Sequence, residues 1–153
     1  MKTSLRFLSL ALALLLAPLA LSAATNGASY GLPDDFTTRV VVSAATPFRL
    51  IGLGSTNATS LKATPGQVVV ISIQNVAAAV RYVKFYNKAS APTVGTDTPV
   101  FVIGLPASSA VNLSLPAGLY FSTGIAFATT NLSADTDATA ITAGDLIISL
   151  GYN

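Results

Sequence analysis

Three short apolar runs in the middle of the chain, within residues 67–105, constrain the fold most. They read QVVVISIQ, VRYVKFYN and TPVFVIGL, and turn-forming residues separate them. Side chains of alternating character in the first two runs are typical of half-buried β-strands. No segment combines a sustained helical period with helix-capping residues. The stretch therefore predicts consecutive β-strands around which the other strands pack.

Further strand-like runs lie on both sides of this stretch, with Pro and Gly between them. They cover residues 36–43, 48–53, 57–63, 109–115, 119–130 and 145–152. Residues 116–118 predict a turn, and Gly124 predicts either a bulge in the run 119–130 or its division into two strands. About eight or nine short strands with such turns indicate an all-β fold. We expect an antiparallel β-sandwich, either jelly-roll-like or immunoglobulin-like.

The alternation also predicts which strand side chains are buried. The predicted core consists of Val69, Ile71, Ile73, Val83, Phe85, Phe101 and Ile103. The opposite face of residues 80–87 carries Tyr82, Lys84 and Tyr86. Their charged or hydroxyl ends can reach water while their apolar parts stay covered. We therefore expect that face to be solvated.

The N-terminus has the layout of a secretory signal peptide. A basic start with Lys2 and Arg6 precedes an apolar run, and small residues follow up to Ala24. The run of about 15 residues is shorter than the roughly 20 that a membrane span needs, which disfavours the alternative of an anchor. We predict a leader over residues 1–24, an extended arm over residues 25–35 and one β-sandwich domain over residues 36–153.

The composition excludes most catalytic designs. The chain has no His and no Cys, and all six of its acidic residues are Asp. Acid–base, nucleophilic and zinc chemistry therefore lack their usual side chains. The formal charge of +2 comes from the leader, because without Lys2 and Arg6 six basic residues balance six acidic ones. We predict no enzymatic activity, no cofactor and no nucleic-acid partner.

Two aspartates form the one acidic cluster that suggests a ligand. Asp135 and Asp137 alternate in a polar segment, and Asp145 follows. Carboxylate and carbonyl oxygens are the ligands that calcium prefers. Aspartates in segments rich in Thr and Ser also form turns. The sequence thus leaves open a calcium site at Asp135 and Asp137 and a turn-forming role for both.

One part of the chain resembles a known family. The motif reads KFYNKA from Lys84, then Pro92, then GTDTP from Gly95, and related segments occur at residues 124–126, 134–137 and 143–145. Residues 55–152 resemble small tailed-phage and prophage virion proteins with a KxYNKA…P…GTDxP signature. The resemblance implies an accessory subunit, either capsid-decorating or fibre-like, and transfers no catalytic residue. The predicted leader departs from this pattern, since virions assemble in the cytoplasm.

The predicted contact residues are those of the stiff loop after residue 87, namely Lys88, Pro92, Gly95 and Asp97. We expect the protein to self-associate, with a trimer as one candidate, and to dock on a larger repeating assembly such as a capsid. Its expected location is the virion or, through the leader, the periplasm or the exterior of the cell. The alternative is a secreted β-sandwich binding module, similar to an adhesin, that recognises a glycan or a cell surface.

Overall fold

The computed structural model describes residues 44–153, which form eight β-strands and no helix. The predicted leader, the arm and the first predicted strand lie outside the described residues. No helix in the described part of the chain is long and apolar enough to cross a membrane. The strands are β1 (Thr46–Ile51), β2 (Thr59–Lys62), β3 (Gly66–Asn75), β4 (Arg81–Asn87), β5 (Phe101–Leu105), β6 (Ser109–Phe121), β7 (Ile125–Thr130) and β8 (Leu146–Tyr152).

The strands pair as a long hairpin folded over on itself. β1 pairs with β8, β2 with β7, β3 with β6 and β4 with β5, all antiparallel. Two further antiparallel pairs, β3 with β8 and β4 with β7, join these ribbons into sheets of order β1-β8-β3-β6 and β2-β7-β4-β5. This is the strand order of an eight-stranded jelly roll. The prediction of an antiparallel β-sandwich is confirmed, and of its two forms the strand order is that of the jelly roll.

The core lies between the two sheets and is built from alternate strand residues. Ile71, Ile73, Val83 and Phe85 are fully buried, as predicted, and Ile103 is 7% exposed. The predicted core residue Phe101 is half-buried and packs against the same cluster. Burying such side chains contributes about 1.5–3 kcal/mol each, which is the main stabilising contribution in a chain without disulfides.

The prediction that Val69 is buried in the core is wrong. The register of β3 against both β6 and β8 shifts between Val68 and Val70. Relative to β8, β3 contains one extra residue at this point, and such a bulge reverses the side-chain faces beyond it. Val68 is therefore fully buried in place of Val69, which is half-buried.

The predicted turn at residues 116–118 is also wrong, because β6 continues through it. Gly118 lies in this strand with φ 71°, and a Cβ there would meet the Gln67 side chain at 2.2 Å. The Pro and the Gly thus accommodate a register irregularity within one long strand. At Gly124 the run 119–130 is divided, as predicted, into the end of β6 and all of β7. A Cβ at Gly124 would lie 2.7 Å from the Ala89 Cα.

Candidate docking surface

Two long loops cover the outer face of the β4–β7 pair. We call residues 88–100, between β4 and β5, the contact loop, and residues 131–145, between β7 and β8, the acidic loop. They leave opposite ends of the strand pair, since Asn87 pairs with Ile125 and Tyr82 with Thr130. Both loops fold back over the sheet and meet there. A Cβ built on Gly95 would lie 3.0 Å from the Thr136 carbonyl oxygen.

The acidic loop is tied to the sheet by a buried lysine. Lys84 is 0% exposed, so the expectation that its ammonium reaches solvent is wrong. Its Nζ donates hydrogen bonds to the carbonyl oxygens of Ala134, at 2.5 Å, and Asp137, at 3.2 Å. Burial lowers the pKa of Lys84, and the negative charges of Asp137 and Asp135 oppose that shift. The Lys84 ammonium thus acts as a cation, fixed to β4, that binds two carbonyl oxygens of the acidic loop.

Tyr86 lies beside this lysine and is likewise covered, which corrects the same expectation. Only 1% of it is exposed, and it forms a small apolar cluster with Ala126 and Ala128, against which Val94 of the contact loop packs. Its hydroxyl has no hydrogen-bond partner within the described residues. Burial, followed by the nearby charges of Asp135 and Asp97, raises the pKa of Tyr86.

The predicted contact residues form the internal framework of the contact loop. Lys88 pairs with the Asp97 carboxylate, which also accepts a hydrogen bond from the Thr93 N–H at 2.6 Å. The hydrogen bonds from Lys88 and Thr93 lower the pKa of Asp97. Pro92 is buried and Gly95 adopts φ 86° against the acidic loop. These four residues hold the loop in shape, and the side chains of Lys88 and Asp97 are also 34% and 29% exposed.

The acidic loop uses its carboxylates mainly as turn formers. Asp137 accepts hydrogen bonds from the N–H groups of Leu132, at 2.9 Å, and Thr139, at 3.2 Å. Burial acts to raise the pKa of Asp137, but the hydrogen bonds from Thr139 and Leu132 outweigh it and the pKa is lowered. Asp145 forms an ion pair with Arg81 at 2.7 Å, whereas Asp135 is exposed. Within residues 44–153 no three Asp, Glu, His or Cys side chains are grouped so that they could hold a metal ion.

The surface that the two loops present to solvent was not predicted from the sequence. We call it the two-loop surface and define it by its exposed residues, Thr93, Thr96, Leu132, Asp135 and Thr136. Leu132 is 59% exposed and is the one large apolar side chain of this set. The motif residues around Lys88 to Asp97 indicated a loop here. No local signal indicated that residues about 40 positions further along the chain complete this surface.

A glycine pair in the two loops tests whether their contact stabilises the protein. Gly95 has φ 86° and faces Thr136, whereas Gly144 has φ 85° and a Cβ there would meet nothing within 4 Å. Gly144→Ala should cost about 1–2 kcal/mol of unfolding free energy for the left-handed backbone alone. Gly95→Ala should cost about 1 kcal/mol more, because its methyl group pushes the loops apart. Equal costs in urea unfolding would show that the loops do not press on each other.

Calcium binding by Asp135 and Asp137 stays a prediction. If the site exists, calcium raises the melting temperature of the protein, and Asp135→Asn/Asp137→Asn removes that gain. Because Asp137 also orders the loop, Asp137→Asn alone is the control for lost turn stability. An unchanged melting temperature on adding calcium or a chelator to the native protein would leave the turn-forming role alone.

No protein-family model matches the chain, and no curated protein matches it. Among solved structures, the chain is similar to the coat protein of Tobacco streak virus. The identity is 10%, the alignment covers 72% of this chain and 88% of that chain, and the TM-score is 0.30. A similarity this low carries no argument about function.

Proposed function

We propose that the protein is a non-enzymatic structural subunit that docks on a repeating protein shell, as a capsid-decorating or fibre-like accessory protein does. The observation that carries this proposal is the two-loop surface, which Lys84 holds from beneath and which exposes three threonines, Leu132 and Asp135. The jelly roll supports it by analogy only, since viral capsid proteins, lectins and cupins all use that fold. The resemblance of the contact-loop motif to phage virion proteins points the same way.

The two-loop surface is suited to docking because it is ordered before a partner arrives. Lys84 holds the acidic loop from below, the pair of Lys88 and Asp97 closes the contact loop, and the loops meet at Gly95. A surface that is already ordered loses little conformational entropy on binding. Its threonines and Leu132 offer hydroxyl groups and one apolar anchor, which suit a protein partner better than a polyanion.

Apart from the exposed Asp135, the charged side chains near this surface form bonds within the fold. Lys84 binds loop carbonyls, Lys88 and Asp97 pair, and Asp137 caps a turn. A residue used in this way is not free to transfer protons to a substrate. We therefore expect the protein to act by contact and to have no catalytic activity.

The docking proposal is tested by sedimentation with purified particles. Leu132→Lys places a charged chain on the two-loop surface, and we expect the apparent affinity to fall at least about tenfold. Thr96→Lys changes the contact loop and should act in the same direction. The control is Thr46→Lys, an exposed site on β1 in the other sheet, which should bind as the native protein does. Equal binding by all three variants would contradict docking through this surface.

The second candidate, a glycan-binding module, is favoured by one feature of the other sheet. A groove of about 620 Å³ lies there and includes Phe48, Arg49, Ser72 and Ser149. The Arg49 guanidinium and the two serine hydroxyls can hydrogen-bond a sugar, whereas the Phe48 ring packs against Phe127 in the core. If Arg49→Ala abolishes binding to a glycan array while particles do not bind at all, the protein is the secreted binding module.

A further inference from the structure

Among residues 44–153, β6 ends the β1-β8-β3-β6 sheet, and no described strand pairs with its outer edge. In the described part of the chain its one ladder partner is β3. The strand has 13 residues, and its regular stretch, residues 109–114 paired one for one with β3, is roughly 20 Å long at about 3.4 Å per residue. Every second residue of an edge strand directs its N–H and C=O away from the neighbouring strand. The regular stretch of β6 therefore offers a row of backbone donors and acceptors.

The other three edges carry features that discourage pairing, and β6 has fewer of them. β1 contains Pro47 and Arg49, β2 has four residues including Lys62, and β5 has five residues. Short strands, prolines and charges are the devices by which proteins protect sheet edges. β6 contains no charged residue, and its one proline, Pro116, lies in the irregular part of the strand.

The side chains of β6 that face the core are incompletely covered. Val111 and Leu113 are half-buried, whereas Ile71 and Ile73 on the adjacent strand β3 are fully buried. Both pairs point into the same core, since Ile73 pairs with Val111 and Ile71 with Leu113. A strand added at the edge of β6 would cover this row, and burying it contributes about 25 cal/mol per Å².

We propose that β6 pairs antiparallel with β6 of a second copy of this chain, so that two four-stranded sheets become one of eight strands. A two-fold axis places each residue of β6 opposite another residue of β6. Because the strand carries no charge, no like charges meet in any register. This proposal deepens the self-association of the proposed structural subunit and rests on it. Such an isologous interface closes as a dimer, so a trimer would need another surface.

The test compares two lysine substitutions at opposite edges of the same sheet. Ser114→Lys places a charge on the exposed face of β6, and Thr46→Lys places one on β1. Sedimentation of the native protein should show a reversible dimer. Its dissociation constant should rise at least about tenfold in Ser114→Lys and stay unchanged in Thr46→Lys. Asn112→Lys is a second variant at the same edge in case Ser114→Lys does not fold.

Hydrogen exchange locates the interface. The amides of β6 should exchange more slowly as the protein concentration rises, while those of β1 and β5 stay the same. A monomer at every concentration, or a dimer whose β6 amides are unaffected, overturns the proposal. If the protein is a monomer and still binds particles, the pairing of β6 is wrong and the docking function stands. A dimer that binds no particle leaves this pairing intact and overturns the docking function.

Discussion

Phe85→Ala is expected to lower the free energy of unfolding by about 3–5 kcal/mol. Phe85 is 0% exposed, and its ring lies among those of Phe101, Phe121 and Phe127, with centroid distances of 6.2, 6.4 and 6.3 Å. These three residues belong to strands of both sheets, so the ring joins the two layers. Removing it leaves a cavity that several strands would have to move to fill.

Urea unfolding measures this loss, and Phe101→Ala is the matched control. Phe101 is half-buried on the edge strand β5 and contacts the same ring. Its truncation should cost less, because a cavity at an edge can be filled by solvent or by small movements. A loss below about 1 kcal/mol for Phe85→Ala would show that the two sheets do not pack through this residue.

Lys84→Ala is the second substitution with a large expected effect, about 2–4 kcal/mol. It removes a fully buried side chain and leaves the carbonyl oxygens of Ala134 and Asp137 without their donor. Lys84→Met keeps most of the apolar stem and removes only the ammonium. Lys84→Met should lower the free energy of unfolding less than Lys84→Ala does. The difference between the two variants measures the packing of the stem, and the loss in Lys84→Met measures the hydrogen bonds of the ammonium.

The same two variants should open the acidic loop to proteolysis. An endoprotease that cuts before aspartate has sites at Asp135, Asp137 and Asp145 within this loop. Cleavage there should be slow in the native protein and faster in both variants, since both lack the ammonium. A variant with unchanged cleavage and unchanged stability would show that Lys84 does not hold the loop.

The strands could be predicted from the sequence because their signal is local. Ile71, Ile73, Val83 and Phe85 alternate with polar residues, and each is buried as expected. The predicted burial of Val69 is wrong because a bulge depends on how β3 pairs with its neighbouring strands. The residue pattern of a single strand does not contain that information. The pairing order likewise depends on contacts between distant strands.

The candidate site was only half predictable for the same reason. The contact loop was recognised from its Pro, Gly and Asp residues, and the acidic loop from its aspartates. Lys84 and Tyr86 looked solvated because the cover over them is formed by a loop some 50 residues further along the chain. The residues predicted for partner contact brace the loop, and whether they also touch a partner stays a prediction.

Cryo-microscopy of purified particles, with mass spectrometry of the same sample, tests the docking function most directly. We expect many copies of the chain on a regular lattice, with Leu132 and Thr96 of each copy in contact with the shell. Absence of the chain from particles, together with a free secreted form that binds glycans, would contradict it.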